Sequence, residues 1–277
     1  MAENDFFKKI GQFYEDKIAV FWKLVHNEHM HTGYWDEKNL VSGLAEGAVR
    51  LTEVMIEHAM IKEGQHFIDI GSGYGLPGIL LSQKKGCRLK GVTASQQQCD
   101  VSNAKAKESQ LSDQVEFAVN NANELVFDSN SFDGGWFFES IFHIGHESAL
   151  KECFRVLKPG SHLLISDFTV SNSIPESEME YLKKTFKVKS LKSLDEYETM
   201  MSNAGFANIE IEDVTDKTIS KRTGKYNQAL EFYKDAIVND IGLDDYNWIK
   251  NFWFEINESI FDKYIGYIIV KCVKQND

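Results

Sequence analysis

Apolar positions along this chain keep two different rhythms. In DKIAVFWKLV (residues 16–25) and LAEGAVRLTEVMIEHAMI (44–61) they recur every three or four residues, so residues 1–60 read as helical. From His66 short apolar runs alternate with helical stretches. HFIDI is a first strand, LPGILLSQK a helix, CRLKGVT a second strand, and SQQQCDVSNAKAKESQL a helix that Ser95 can cap. QVEFAV and FDGGWFFES give strands three and four, ESALKECFRVL a helix, and HLLISDF a fifth strand behind the turn KPG. SLDEYETMMSNAGF reads as a helix that opens on the capping box Ser193/Glu196 and stops at Gly205. NIEIEDV is a sixth strand, residues from about 217 to 262 return to the helical rhythm, and YIGYIIVKCV closes as a seventh. This order predicts an α/β fold, a doubly wound and mostly parallel seven-stranded sheet in one domain, 1–277. Its core is 61–214 with 263–277, and its helical coverings are 1–60 and 215–262.

Composition narrows the partners. The 277 residues carry a formal charge of −12, which argues against nucleic acid or an anionic membrane, since both need clustered cations. The four cysteines are scattered without a CxxC pair, so neither zinc nor a disulfide framework is indicated, and no metal site is expected. The N-terminus lacks the apolar stretch of a signal peptide and no run has the length of a membrane span; the expected compartment is the cytoplasm.

The chemistry begins at FIDIGSGYGLPG, where Gly71, Gly73, Gly75 and Gly78 follow the first strand. A strand, a glycine-rich turn and a helix bring backbone close to a nucleotide-like ligand. Dinucleotide dehydrogenases use the same device, with a carboxylate about 20 residues on to hold a ribose. Here the second strand ends in GVTASQQQ, with no acid at that place.

FIDIGSGYGLPG, GVTASQQQ, NNANELVFDSNSFDGGWFFES and ECFRVLKPGSHLLISDF, in this order, resemble the motifs of class I S-adenosylmethionine-dependent methyltransferases. The likeness spans roughly residues 10–170. It is nearest the small-molecule group that methylates natural-product sugars, sterols, tocopherols and prenyl diphosphates. The resemblance implies a Rossmann-like methyltransferase fold with S-adenosylmethionine as cofactor. It places Asp69, Gly71, Ser72 and Gly73 on the methionine part, and Thr93, Ser95 and Gln98 at the ribose. The family's adenine-binding Asp-Ala pair stands here as Asn121-Ala122, which keeps an acceptor and loses its charge. HMHTGYWDE is similar to the segment that covers the cofactor in this group, which puts His31 and Thr32 near the methionine carboxylate and Tyr14 near the sulfonium.

By the same resemblance His143 is a general base for an acceptor hydroxyl and Asp167 its support, with His146 and Glu139 as weaker candidates nearby. The base would titrate near neutrality, as imidazole does. The aromatic stretch Phe232, Tyr233, Tyr246, Trp248, Phe252, Trp253 and Phe254 points to a small, hydrophobic methyl acceptor. His143 and Asp167 favour O-methylation. C-methylation of an alkene or prenyl chain, N-methylation, methylation-triggered cyclisation and a nonenzymatic S-adenosylmethionine-binding regulator stay open.

Overall fold

The structure, a computed structural model, describes residues 25, 26 and 28–275. Tyr14 lies outside the described residues. Seven strands form one sheet in the order β3-β2-β1-β4-β5-β7-β6. They are β1 (His66–Ile70), β2 (Arg88–Thr93), β3 (Val115–Val119), β4 (Phe132–Phe138), β5 (Leu157–Val170), β6 (Phe206–Asp213) and β7 (Ile265–Lys274). The first five are parallel; β7 runs antiparallel between β5 and β6. Central β1 and β4 are buried almost throughout, because helices cover both faces of the sheet and leave no side for polar residues. Edge strand β6, FANIEIED, alternates inward and outward instead.

Helices α1 (Leu44–His58), α2 (Leu76–Lys85) and α3 (Gln96–Glu108) pack on one face. On the other lie α5 (His146–Val156), preceded by the short α4 (Ile141–Ile144), and α7 (Leu194–Asn203). Helix α6 (Glu176–Phe186), which the apolar pattern leaves unassigned, turns only Leu182 fully inward. Ser95 and the Ser193/Glu196 box cap α3 and α7 as expected. The covering at 215–262 is broken into α8 (Ile219–Phe232), α9 (Lys234–Ile241) and α10 (Leu243–Ile256), with Gly242 at φ +88° between the last two.

Two expectations change. Residues 29–43 are irregular rather than helical, because the Trp35 indole fills the space beside Gly33 and Gly47; a Cβ at either glycine would come within 2.4 or 2.5 Å of the ring. The KPG turn lies inside β5. Pairing with β4 jumps from Phe132–Leu157 to Gly134–His162, so residues 158–161 bulge out and the ladder resumes.

Candidate active site

The strand order reverses between β1 and β4, and the site lies beyond their carboxyl ends, as open α/β sheets dictate. There the amides of Gly71 and Ser72 both donate to the Val92 carbonyl, at 2.8 and 2.9 Å, which folds the glycine loop back over β2. The glycines serve different ends. At Gly71 (φ +84°) a Cβ would stand 2.3 Å from the Ser140 Cβ, and at Gly75 (φ +79°) 2.7 Å from the Phe117 ring, so packing requires both. At Gly73 (φ +52°) a Cβ would meet only Met30, at 3.8 Å, and would project into a cleft.

That cleft holds about 1070 Å³ of empty space, part of it open to solvent. Asp69, Gly71, Ser72, Gly73, Thr93, Gln98, Asn121, Ala122 and His31 line it, nine of the twelve residues expected at the cofactor. A second, inner cavity of about 760 Å³ adjoins it, and Met30, Glu139 and His143 line both. Its remaining wall is mostly apolar and aromatic, with Phe142, Phe168, Phe186, Trp253, Phe261 and Ile265. Of the aromatic residues singled out in 232–254, Trp253 reaches this wall; Phe232 and Trp248 are exposed.

Two of the expected residues lie off the cleft, and a third lines it with its ring nitrogens engaged within the protein. Ser95 does not line the cleft: its hydroxyl accepts the Gln98 amide as the cap of α3. Thr32 lines the inner cavity rather than the cleft, and its amide donates to Glu139 Oε1 at 2.8 Å. His31 lines the cleft with its ring stacked on Phe138, but its nitrogens are engaged inside the protein. Nδ1 donates to the Thr32 carbonyl at 2.9 Å, and Nε2 lies 3.0 Å from Thr52 Oγ1. Burial holds this imidazole neutral, well below its usual range. Gln98 lines the cleft with its carbonyl oxygen already receiving the Thr93 hydroxyl at 2.6 Å, so the amide nitrogen is the group it offers outward. Asn121 Oδ1 accepts the Asn123 amide at 3.1 Å, the turn bond an Asx residue makes, and retains a second lone pair.

His143 and Asp167 are not partners. His143 Nδ1 donates to the Lys187 carbonyl at 3.0 Å, which places the lone pair on Nε2. Burial lowers this imidazole to about 4, so it is neutral well below physiological pH, contrary to the expected titration near neutrality. The Asp167 carboxylate is wholly buried and lines neither cavity. Its Oδ2 receives the Tyr197 hydroxyl and sits 3.0 Å from His146 Nε2, while its Oδ1 accepts the Phe168 amide. Asp167 and His146 therefore form a structural cluster behind β5.

Glu139 is better placed than the sequence reading made it. It directly follows β4 at φ +47°, a left-handed conformation that non-glycine residues rarely hold, and it lies at the junction of the two cavities. Oε1 accepts the Tyr267 hydroxyl at 2.7 Å as well as the Thr32 amide. Burial pushes the carboxyl up to about 7. Arg222 was missed altogether. It comes from α8, is 2% exposed, and lines the inner cavity.

The cleft fits a ligand with nucleoside and amino-acid ends. Ser72 Oγ is buried there without a hydrogen-bond partner among the described residues, an acceptor and donor in want of one. Gly73 leaves a hollow that a side chain would fill. Burial pushes the Asp69 carboxyl up to about 7, so an ammonium beside it would draw it back to the ionised form. Among the described residues no group of acidic, histidine or cysteine side chains is arranged to hold a metal, and no helix is long and apolar enough to cross a membrane.

A methyltransferase domain family matches residues 68–165. The 27-O-demethylrifamycin SV methyltransferase of Amycolatopsis mediterranei is 31% identical over 239 residues, 82% of this chain and 87% of that protein. The (+)-O-methylkolavelool synthase of Herpetosiphon aurantiacus is 28% identical over 267 residues, covering 95% and 92%. Among solved structures, the [4+2]-cyclase SpnF superposes with a TM-score of 0.81 at 22% identity, over 98% of this chain and 97% of its own.

Proposed function

Because the chain belongs to the class I S-adenosylmethionine-dependent methyltransferases and acts on small metabolites, we propose that its two joined cavities divide the work of one O-methylation. The outer cleft takes the cofactor and the inner cavity takes a hydrophobic acceptor. The single observation that carries this reading is the shared wall of Met30, Glu139 and His143, where a group in one cavity meets a group in the other. Two relatives named for O-methylated products or O-demethylated substrates support the choice of oxygen.

In this reading Asp69 and Ser72 hold the amino-acid end, Gln98 the ribose and Asn121 with Ala122 the adenine, with Gly73 leaving room between them. The cofactor supplies an electrophilic methyl group on a sulfonium. The protein's own contribution is position and a proton acceptor. His143 receives the acceptor's hydroxyl proton at Nε2, since Nδ1 is fixed as a donor by the Lys187 carbonyl. The aromatic wall keeps water from competing for the site. Residues 1–60 and 215–262 act as coverings of a single domain whose core is 61–214 with 263–277. Release of S-adenosylhomocysteine when the protein meets S-adenosylmethionine and fractionated lipophilic alcohols tests the reading; binding of S-adenosylhomocysteine with no turnover on any hydroxyl would defeat it.

A second reading, C-methylation of an alkene, is favoured by the aromatic wall of the inner cavity at Phe142 and Phe168, since rings stabilise a nearby carbocation. It differs in needing no base for the transfer itself.

Variants at two positions separate binding from support. Asn121→Leu should weaken S-adenosylhomocysteine binding by about 1–3 kcal/mol, the cost of an unpaired polar group. Asn121→Asp, which keeps the turn bond to Asn123, should bind at least as well as the parent in calorimetry. Asp167→Ala leaves the Tyr197 hydroxyl and His146 without their shared acceptor. It should lower stability by about 2–4 kcal/mol, read as a fall in melting temperature, with cofactor affinity unchanged.

A further inference from the structure

The inner cavity holds a cation that the proposed reaction does not use. Arg222 sits on the buried stripe of α8 with Ile219, Tyr226 and Leu230, at spacings of three and four. Its guanidinium carbon lies 4.3 Å from the centroid of the Phe261 ring and 5.0 Å from that of Tyr226. Nε is sealed from solvent without a hydrogen-bond partner, and among the described residues no carboxylate forms an ion pair with Arg222. Ring faces offset part of the cost of burying a charge, but they accept none of its five N–H donors. The Glu139 carboxyl on the same wall is within electrostatic reach of Arg222 but makes no ion pair with it, and a guanidinium 2% exposed is costly to bury unless something supplies oxygens to its N–H groups. On the same cavity wall Thr32 Oγ1 is also buried without a partner.

We propose that the acceptor is an amphiphilic acid whose carboxylate is received by Arg222, with Thr32 as a second donor, while its apolar body lies against Phe186 and Trp253. The inference rests on the assignment of the inner cavity to the acceptor. A carboxylate matches the planar fork of a guanidinium with two parallel hydrogen bonds. Apart from Arg222, Thr32, Glu139 and His143 the cavity wall is apolar, so a charged end, a hydroxyl and a hydrocarbon body describe the ligand. Anchoring at Arg222 leaves the acceptor's hydroxyl to reach His143 and Glu139, which line the same cavity.

The test is calorimetry on the full chain saturated with S-adenosylhomocysteine, with octanoate, octanol and octyl phosphate as probes. Octanoate should bind roughly tenfold or more tightly than octanol, the difference a charge-assisted pair makes. Arg222→Met should erase that difference, leave S-adenosylhomocysteine affinity unchanged, and melt at or above the parent's temperature, because an unpaired buried charge has been removed. Arg222→Lys should keep part of the preference. Equal binding of octanoate and octanol by the parent would overturn the proposal without any variant. A preference that survives in Arg222→Met, or a lowered melting temperature there, would overturn it by showing that the rings alone satisfy the guanidinium. Octyl phosphate bound tenfold above octanoate would replace the carboxylate by a phosphate. Failure of the parent to bind S-adenosylhomocysteine would instead strike the assignment of the cavities themselves.

Discussion

Replacing Gly73 by valine should leave a folded protein that no longer binds S-adenosylhomocysteine. Without ligand a Cβ at this position has only Met30 within 4 Å, at 3.8 Å, so packing survives. The backbone at φ +52° costs a non-glycine residue roughly 1–2 kcal/mol, more when it is β-branched. For a chain of this size that is a melting point lowered by about 2–8 °C. The branched side chain projects into the hollow assigned to the cofactor, and a loss of affinity of about a hundredfold or more is expected. Gly71→Ala is the control of opposite character: its Cβ would stand 2.3 Å from Ser140, so stability should fall even without ligand. Calorimetry and thermal melts of the two variants read the two effects separately. Affinity within threefold of the parent in Gly73→Val would remove the glycine hollow from the cofactor site.

His143→Ala should reduce turnover by roughly 10²–10⁴-fold, the usual share of general-base catalysis, with cofactor affinity unchanged. The pH profile carries more information than the size of the loss. An imidazole lowered to about 4 by burial is already deprotonated at neutrality, so a rate that depends on it stays level from pH 8 downward and falls only toward pH 4. Glu139, raised to about 7, behaves differently: were its carboxylate the proton acceptor, the rate would climb through pH 7 and level off above it. A limb near 7 that vanishes in Glu139→Gln would transfer the role from His143 to Glu139. Near-normal single turnovers in His143→Ala with a flat profile would instead favour the alkene, whose attacking electrons carry no proton.

The sheet was readable because its central strands are continuous apolar runs set between helices with capping signals such as Ser95 and the Ser193/Glu196 box. Helix α6 escaped notice for the opposite reason: only Leu182 is fully buried, so the segment shows little apolar rhythm. The irregular stretch 29–43 misled because its conformation is set by tertiary contact, Trp35 against two glycines, which no local pattern records. At the site, motif spacing pointed to the strand-end edge of the sheet where the cleft lies but not to the traffic of hydrogen bonds within it. Asp167 looked catalytic from its place at the end of HLLISDF, and only its neighbours Tyr197 and His146, distant in sequence, show it to be committed elsewhere. Arg222 did carry a signal. It interrupts the stripe Ile219, Tyr226, Leu230 with a charge, and a charge at a core position needs a reason.

The antiparallel strand β7 imposes an order on synthesis. Its neighbours β5 and β6 are joined in the sheet only through it, yet it is the last strand of the seven to leave the ribosome. Until residues 265–274 emerge, β5 presents a bare edge to any other extended segment and β6 has no place to dock. The nascent chain must therefore hold its glycine loop and first five strands for the time it takes to translate the whole 215–262 covering, at about 5–20 residues per second. Ribosome-bound chains stalled before residue 265 should accordingly be protease-sensitive through β6 while β1 to β4 resist, and become resistant throughout once β7 is free.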